Sequence, residues 1–276
     1  MIVWIASFPK SGNTWLRAFL CSYFYMNSES DIFDFDLLKN ILRFPSSKLY
    51  EDIGVKPKNF EEVAKSWISV QENINSNKKI NFLKTHNAFG GLVNYPFTNK
   101  DNTLGAIYLV RDPRDVLVSY SKHLELSINE TIELVLEDDH KGWLNEYKKD
   151  VIGEIRGSWA QNYNSWKNFN LTEKIIIKYE DLISDPFNTF SNVIEYLNKL
   201  TGIDINEKKI KKCIEITDFN KLKNLERKLG FKENYNKKEP FFNIGKSNQW
   251  QNTLDKKIIS KIEEKFNREM QELKYI

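Results

Sequence analysis

Ser7-Phe8-Pro9-Lys10-Ser11-Gly12-Asn13-Thr14-Trp15, SFPKSGNTW, is the stretch on which the fold of this chain turns. The apolar run Ile2-Val3-Trp4-Ile5-Ala6 precedes it and the helical pattern Leu16-Arg17-Ala18-Phe19-Leu20 follows. A strand, a glycine turn and a helix start, in that order, stack the backbone N–H groups of Ser11 to Thr14 at a helix N-terminus, where anions bind. The Thr14 hydroxyl adds a donor. In the nucleotide-triphosphate signature the lysine comes after the last glycine, whereas Lys10 here precedes Ser11-Gly12. Taken alone, the stretch is also satisfied by an ordinary proline–glycine turn. Its weight as a phosphate loop comes from residues further along.

With 276 residues, 41% of them hydrophobic and 13% aromatic, the chain can bury a large core, and we expect one domain over residues 1–276. Its 41 basic and 38 acidic residues nearly cancel, to a formal charge of +3. That balance argues against nucleic acid or an anionic membrane as the partner, while leaving room for a local anion pocket. Two cysteines, Cys21 and Cys213, are too few for a disulfide framework and read as buried thiols. No basic segment precedes the first apolar run, and no run reaches the ~20 residues needed to span a bilayer. The expectation is a cytoplasmic protein without a membrane span. Nothing in the sequence sets the number of subunits.

Four short apolar runs read as strands: Ile2 to Ala6, Ile80 to Lys84, Ala106 to Val110 and Lys174 to Tyr179. Helical patterns separate them. The alternation predicts an α/β domain with a central, mostly parallel sheet flanked by helices, and ligands beyond the carboxyl ends of the strands. Asp112-Pro113 and Asp185-Pro186 each place a capping acid before proline and mark helix starts. The segment Asn27 to Asn77, helical in pattern around Phe35 to Leu42 and Phe60 to Ile74, is expected to cover the site. The stripe Leu254, Ile258, Ile262, Phe266, Met270 predicts a terminal amphipathic helix packed on the body.

Two further constellations carry chemistry. Leu83-Lys84-Thr85-His86 leaves the second strand with a base beside a cation, and a histidine of ordinary pKa near 6.5 suits proton abstraction from a hydroxyl. A lone histidine after a strand also has a purely structural reading. That structural reading is kept for His123 and His140, the latter in the solvated run Glu137-Asp138-Asp139-His140-Lys141. The second constellation runs from Tyr108 through Arg111-Asp112-Pro113-Arg114-Asp115 to Ser119. There, Arg111 at a strand end and Ser119 on the next helix can grip a separate phosphate. Asp112 reads as a cap, and Arg114 and Asp115 as surface and capping charges.

Together these three segments resemble the sulfotransferases that use 3′-phosphoadenosine 5′-phosphosulfate (PAPS), above all their soluble, cytosolic-type branch. In that family P-K-S-G-T-T-W holds the 5′-phosphosulfate, K-T-H supplies the catalytic histidine, and R-x-P-x-D-x-x-x-S binds the 3′-phosphate. The resemblance implies a fold like that of the P-loop nucleotide kinases, transfer of a sulfuryl group to an acceptor hydroxyl or amine, and PAP as the product, with no metal. It assigns catalysis to His86, Lys10 and Lys84, with Lys10 on the bridging oxygen of the donor. Nucleotide binding falls to Lys10, Ser11, Gly12, Asn13, Thr14 and Trp15, with Asn13 in place of a threonine, and to Arg111 and Ser119. The likeness continues through Gly157-Ser158-Trp159, Tyr179-Glu180-Asp181-Leu182 and Thr217-Asp218-Phe219, so that Trp15, Tyr179, Thr217 and Phe219 fall where the family contacts adenine.

The departure is at Phe241 to Trp250. The family there has R-K-G-x-x-G-D-W; here Gly245 and Trp250 keep the spacing, but Asn243 and Ile244 replace the two basic residues. Lys246 either compensates from one place beyond Gly245 or is a solvated loop lysine. Two rival functions share much of the pattern. A P-loop kinase with ATP and magnesium would use acids near Asp181, yet its lysine belongs elsewhere; a non-catalytic nucleotide-binding protein would leave His86 structural. The acceptor side, Asn27 to Asn77, Asn87 to Tyr95 and Leu124 to Ile155, offers Phe44, Tyr50, Phe89, Tyr95, Trp143 and Tyr147 to a phenol, a lipid alcohol or a sugar.

Overall fold

A computed structural model describes residues 1–27, 30–142, 152–234 and 238–276. In chain order the main strands are β1 (Ile2–Ser7), β2 (Leu42–Arg43), β3 (Asn81–Thr85), β4 (Thr103–Val110) and β5 (Lys174–Lys178). The helices that matter below are α1 (Asn13–Tyr25), α2 (Pro113–Leu124), α3 (Trp159–Lys167), α4 (Pro186–Thr201), α5 (Glu207–Ile216) and α6 (Phe219–Leu229). The described chain groups into two compact units, one of Met1–Phe8, Ile41–Val110 and Glu137–Ile176, the other of Pro9–Asn40, Arg111–Leu136 and Ile177–Ile276.

The first unit is built on the sheet, ordered β2-β3-β1-β4-β5. β1 pairs in parallel with β3 and β4, and β2 in parallel with β3. Every residue of β1 is buried, as expected of a central parallel strand covered on both faces, which reads as one apolar run rather than an alternation. The register sets Ala6 beside Thr85 and Ser7 beside Leu109, so the strands end together. The four predicted strands are present within a few residues. The two-residue β2 was not predicted, being too short for any period to show. Helix α3 packs on β1 and starts with a reciprocal capping box between Ser158 and Gln161. Trp4, Phe44, Trp67, Phe97 and Trp166 fill the core beneath it.

In the second unit, Asp112 caps α2 by accepting the Arg114 N–H, and Asp185 caps α4 by accepting that of Asn188. Phe19 of α1 stacks on Phe190 of α4 at 4.0 Å. The expected terminal helix is two helices, Lys256–Lys265 and Asn267–Glu272, meeting at Phe266. Its stripe is nevertheless buried as expected, because the break preserves the inward face. Cys21 and Cys213 are buried free thiols. Among the described residues no helix is long and apolar enough to cross a membrane.

Candidate active site

In the sheet unit, the chain leaves β3 through Lys84, Thr85 and His86, all buried. The Nδ1 of His86 lies 2.7 Å from the carbonyl oxygen of Ser7 and 3.3 Å from its hydroxyl. A carbonyl only accepts, so Nδ1 carries the hydrogen and Nε2 keeps its lone pair. Burial pushes the imidazole pKa well below 6.5, and the cations of Lys84, Arg43 and Arg156 push the same way, against the opposing bond from the Ser7 carbonyl. The ring is neutral at pH 7.

Residues that sequence reasoning did not single out hold this turn. Asn162 on α3 donates to the carbonyls of His86 at 3.0 Å and of Arg156 at 2.9 Å, while its own side-chain oxygen accepts the Tyr108 hydroxyl. The Asn87 carbonyl takes the indole N–H of Trp166. Arg43 grips the buried Glu154 through two bonds, of 3.1 and 2.6 Å. Asn162 follows the recognisable Ser158-Trp159 pair by one helical turn, and that spacing was the only available signal.

The second unit holds the loop. Lys10 adopts a left-handed conformation, φ 67°, and Gly12 follows at φ 100°. For lysine that costs ~1–2 kcal/mol, and strain of this kind concentrates at ligand clamps. Gly12 begins α1 with no side-chain cap and no acid in the first turn, leaving the positive end of the helix unneutralised. Ser11, Asn13 and Thr14 are buried, and among the described residues the Ser11 hydroxyl has no hydrogen-bond partner. The ammonium of Lys10 rests 3.9 Å from the centroid of the Phe241 ring.

Four residues expected at the adenine are brought together. The Trp15 indole donates to the Thr217 carbonyl at 2.8 Å, and its ring stands edge-on to Tyr179 and Phe219, at 6.3 and 6.4 Å between centroids. Arg111, also buried, lies over Tyr179 at 4.3 Å. Its guanidinium donates to the carbonyls of Lys10, at 3.2 Å, and Lys246, at 3.0 Å, and sits 3.7 Å from Asp115. Ser119 is half-buried on α2. Gly245 has φ 66°, and a Cβ there would stand 2.3 Å from the Phe219 ring, so the loop closes on that ring only as glycine.

Several expectations need correcting. Arg114 and Asp115 are not surface charges. Arg114 is buried against Asp112, Glu263 and the Trp250 ring, and Asp115 accepts the N–H groups of Asn248 and Trp250. His140 is less solvated than its acidic run suggested, pairing through Nδ1 with Glu137 and through Nε2 with Arg156. Phe44 and Tyr50 are core residues rather than acceptor lining; the Tyr50 hydroxyl is spent on the Val63 carbonyl. Trp143 and Tyr147 lie outside the described residues. Glu180, adjacent to Asp181 where a kinase would need its metal acids, takes the Asp112 N–H and the Tyr275 hydroxyl. The Lys246 side chain is exposed, and among the described residues only its carbonyl is engaged.

Comparison with known proteins identifies the family. The family model described as the sulfotransferase domain matches residues 2–274. Bovine sulfotransferase 1A1 is 24% identical over 222 residues, which cover 79% of this chain and 65% of the bovine enzyme, just under two thirds of its length. Flavonol 3-sulfotransferase of Flaveria bidentis is 24% identical over 273 residues, 95% of this chain and 79% of that enzyme. The crystal structure of mouse sulfotransferase SULT7A1 complexed with PAP shares the fold, with a TM-score of 0.59 at 22% identity, covering 98% of this chain and 84% of the mouse chain. An α/β fold with a parallel central sheet, a glycine turn between its first strand and first helix, and a family match over nearly the whole length converge: the chain belongs to the sulfotransferase domain family.

Proposed function

We propose that this sulfotransferase moves the sulfuryl group of PAPS to a hydroxyl of a small-molecule acceptor by in-line displacement, with His86 as the base. Nε2 of His86 takes the acceptor's proton as the acceptor oxygen bonds to sulfur. The bond from sulfur to the phosphate oxygen breaks, and the ammonium of Lys10 counters the charge that grows on that leaving oxygen. Lys84 steadies the transferring group. General-base help of this kind is worth ~10²–10⁴ in rate, and preorganised charges aimed at the developing anion add to it.

The residues present suit the donor. The buried hydroxyl of Ser11, unpartnered among the described residues, and the start of α1, which has no side-chain cap, suit a phosphate, and Trp15, Tyr179 and Phe219 present aromatic surface of the kind a flat base takes. Arg111 and Ser119 are assigned to the 3′-phosphate. A flavonol-type hydroxyl compound, as in the name of the Flaveria relative, represents the acceptor class, and the two free thiols fit a reducing, cytoplasmic setting. We take residues 1–276 as one functional domain.

The observation that carries the reading is the bond from His86 Nδ1 to the Ser7 carbonyl, which makes Nε2 the acceptor of protons. The test is incubation of the protein with sulfur-labelled PAPS and a library of hydroxyl compounds, read by mass spectrometry. Sulfated product with release of PAP supports it. Phosphorylation of acceptors from ATP, or nucleotide binding with no turnover on any acceptor, overturns it.

A further inference from the structure

The 3′-phosphate end is short of charge, since Asn243 and Ile244 stand where the resembling family carries two basic residues. Helix α6, in the same unit, makes a set of contacts with this loop. Phe219, Lys223 and Glu226 recur at i, i+4 and i+7 and so share one helix face. The buried carboxylate of Glu226 accepts the N–H groups of Phe241, at 2.7 Å, and Phe242, at 2.9 Å, as well as the Asn234 amide. The ammonium of Lys223 donates to the Asn243 carbonyl. Gly245 lies on the Phe219 ring, and the Lys246 carbonyl takes Arg111. Lys223 is thus fastened within the loop that ends on Arg111.

An ammonium has three N–H donors, and the Asn243 carbonyl is the one hydrogen-bond acceptor of Lys223 among the described residues. Lys221, on the outer side of α6, pairs with Glu215; Lys223 is half-buried and has no carboxylate partner among the described residues. The two acids that hold this stretch bond to other groups, Glu226 to backbone N–H groups and Glu239 to the Asn243 amide. With N–H donors to spare beyond the Asn243 carbonyl and a fixed place beside the loop, the Lys223 ammonium is set to meet an anion there. The Lys246 side chain is exposed.

We propose that Lys223 is the cation that partners the nucleotide's 3′-phosphate in this chain, in place of the basic residues absent at 243 and 244. The inference rests on the PAPS reading above and adds to it a binding residue outside the matching motif. The test compares PAP with adenosine 5′-phosphate, which lacks the 3′-phosphate, by calorimetric titration of wild type, Lys223→Gln and Lys246→Ala. Glutamine keeps an amide donor for the Asn243 carbonyl and removes only the charge. Lys223→Gln is expected to weaken PAP by about tenfold or more while adenosine 5′-phosphate stays within about twofold, with Lys246→Ala near wild type for both. Equal weakening of both nucleotides, or none, makes Lys223 a tether for the loop and overturns the proposal. Should Lys223→Gln not fold, Lys223→Arg keeps the charge and must retain the PAP preference; its loss overturns the proposal too. A wild-type protein that does not distinguish PAP from adenosine 5′-phosphate overturns the donor reading itself, an outcome visible before any variant is made.

Discussion

The Ser7 carbonyl, at the end of β1, accepts the Nδ1 hydrogen of His86, at the exit of β3, across 2.7 Å. Parallel pairing sets these two strand ends side by side, so the sheet itself chooses the imidazole tautomer. Replacing the ring removes the proposed base and its bonds to Ser7 without changing any residue assigned to the nucleotide. His86→Ala should lower turnover by ~10²-fold or more with PAP affinity close to wild type. Single-turnover kinetics with a titration of PAP separates the two; near-normal turnover in a folded variant removes His86 from the role.

The same ring ties stability to pH. Its folded pKa lies below the ordinary 6.5, so on acidification the unfolded chain takes the proton first. The contribution is fully present above about pH 6.5 and is lost as pH falls from there toward the folded value. Urea unfolding of wild type and His86→Gln at pH 7.5 and 5.5 should show the wild type losing more stability on acidification than the variant. Parallel losses would mean that the ring is protonated alike in both states.

Lys10 should act on the leaving group. Charge on the bridging oxygen grows toward the transition state, so Lys10→Met is expected to reduce turnover more than nucleotide affinity. A defect in affinity alone would recast Lys10 as a phosphate anchor. Activity is also expected to survive a chelator; dependence on added magnesium would favour a kinase-type reaction.

Arg111 joins two loops as well as being the residue proposed to meet the 3′-phosphate. Its loss leaves the carbonyls of Lys10 and Lys246 and the carboxylate of Asp115 without their buried partner. Removing one side of such a contact costs about 2–5 kcal/mol. Arg111→Ala should therefore bring PAPS binding down toward that of adenosine 5′-phosphosulfate and also lower the melting temperature without nucleotide. Calorimetry with both nucleotides checks the first and thermal unfolding the second. An intact preference for the 3′-phosphorylated nucleotide would displace the phosphate from Arg111.

Gly245→Ala meets two penalties, a left-handed φ of 66° and the Phe219 ring 2.3 Å away. The backbone term alone is ~1–2 kcal/mol. Thermal unfolding should show a lower midpoint and a smaller rise on adding PAP. Gly90, with nothing within 4 Å of its Cβ position, provides the control: Gly90→Ala should be close to neutral.

What the sequence disclosed follows the range of each signal. Strands such as β1 were legible because burial on both faces leaves an unbroken apolar run, and the proline-flanked caps of Asp112 and Asp185 are local chemistry. Arg114 was misjudged as a surface charge because its partners, Glu263 and Tyr275, are 149 and 161 residues away. Phe44 was misjudged as acceptor lining because an aromatic residue has the same composition signal in a core as in a pocket. Asn162 went unnoticed since an amide on a helix announces nothing until the carbonyls it serves are seen.

The grip of Lys223 and Glu226 on the stretch from 241 to 243 falls on main-chain atoms, not on side chains. Every residue except proline presents the same amide and carbonyl there. Mutational drift in this stretch can therefore change its lettering without changing its path, as long as the helix that clasps it stays the same. On the proposed placement, the signature of the nucleotide's 3′-phosphate end lies in a neighbouring helix, where a comparison of the loop's letters alone would not find it.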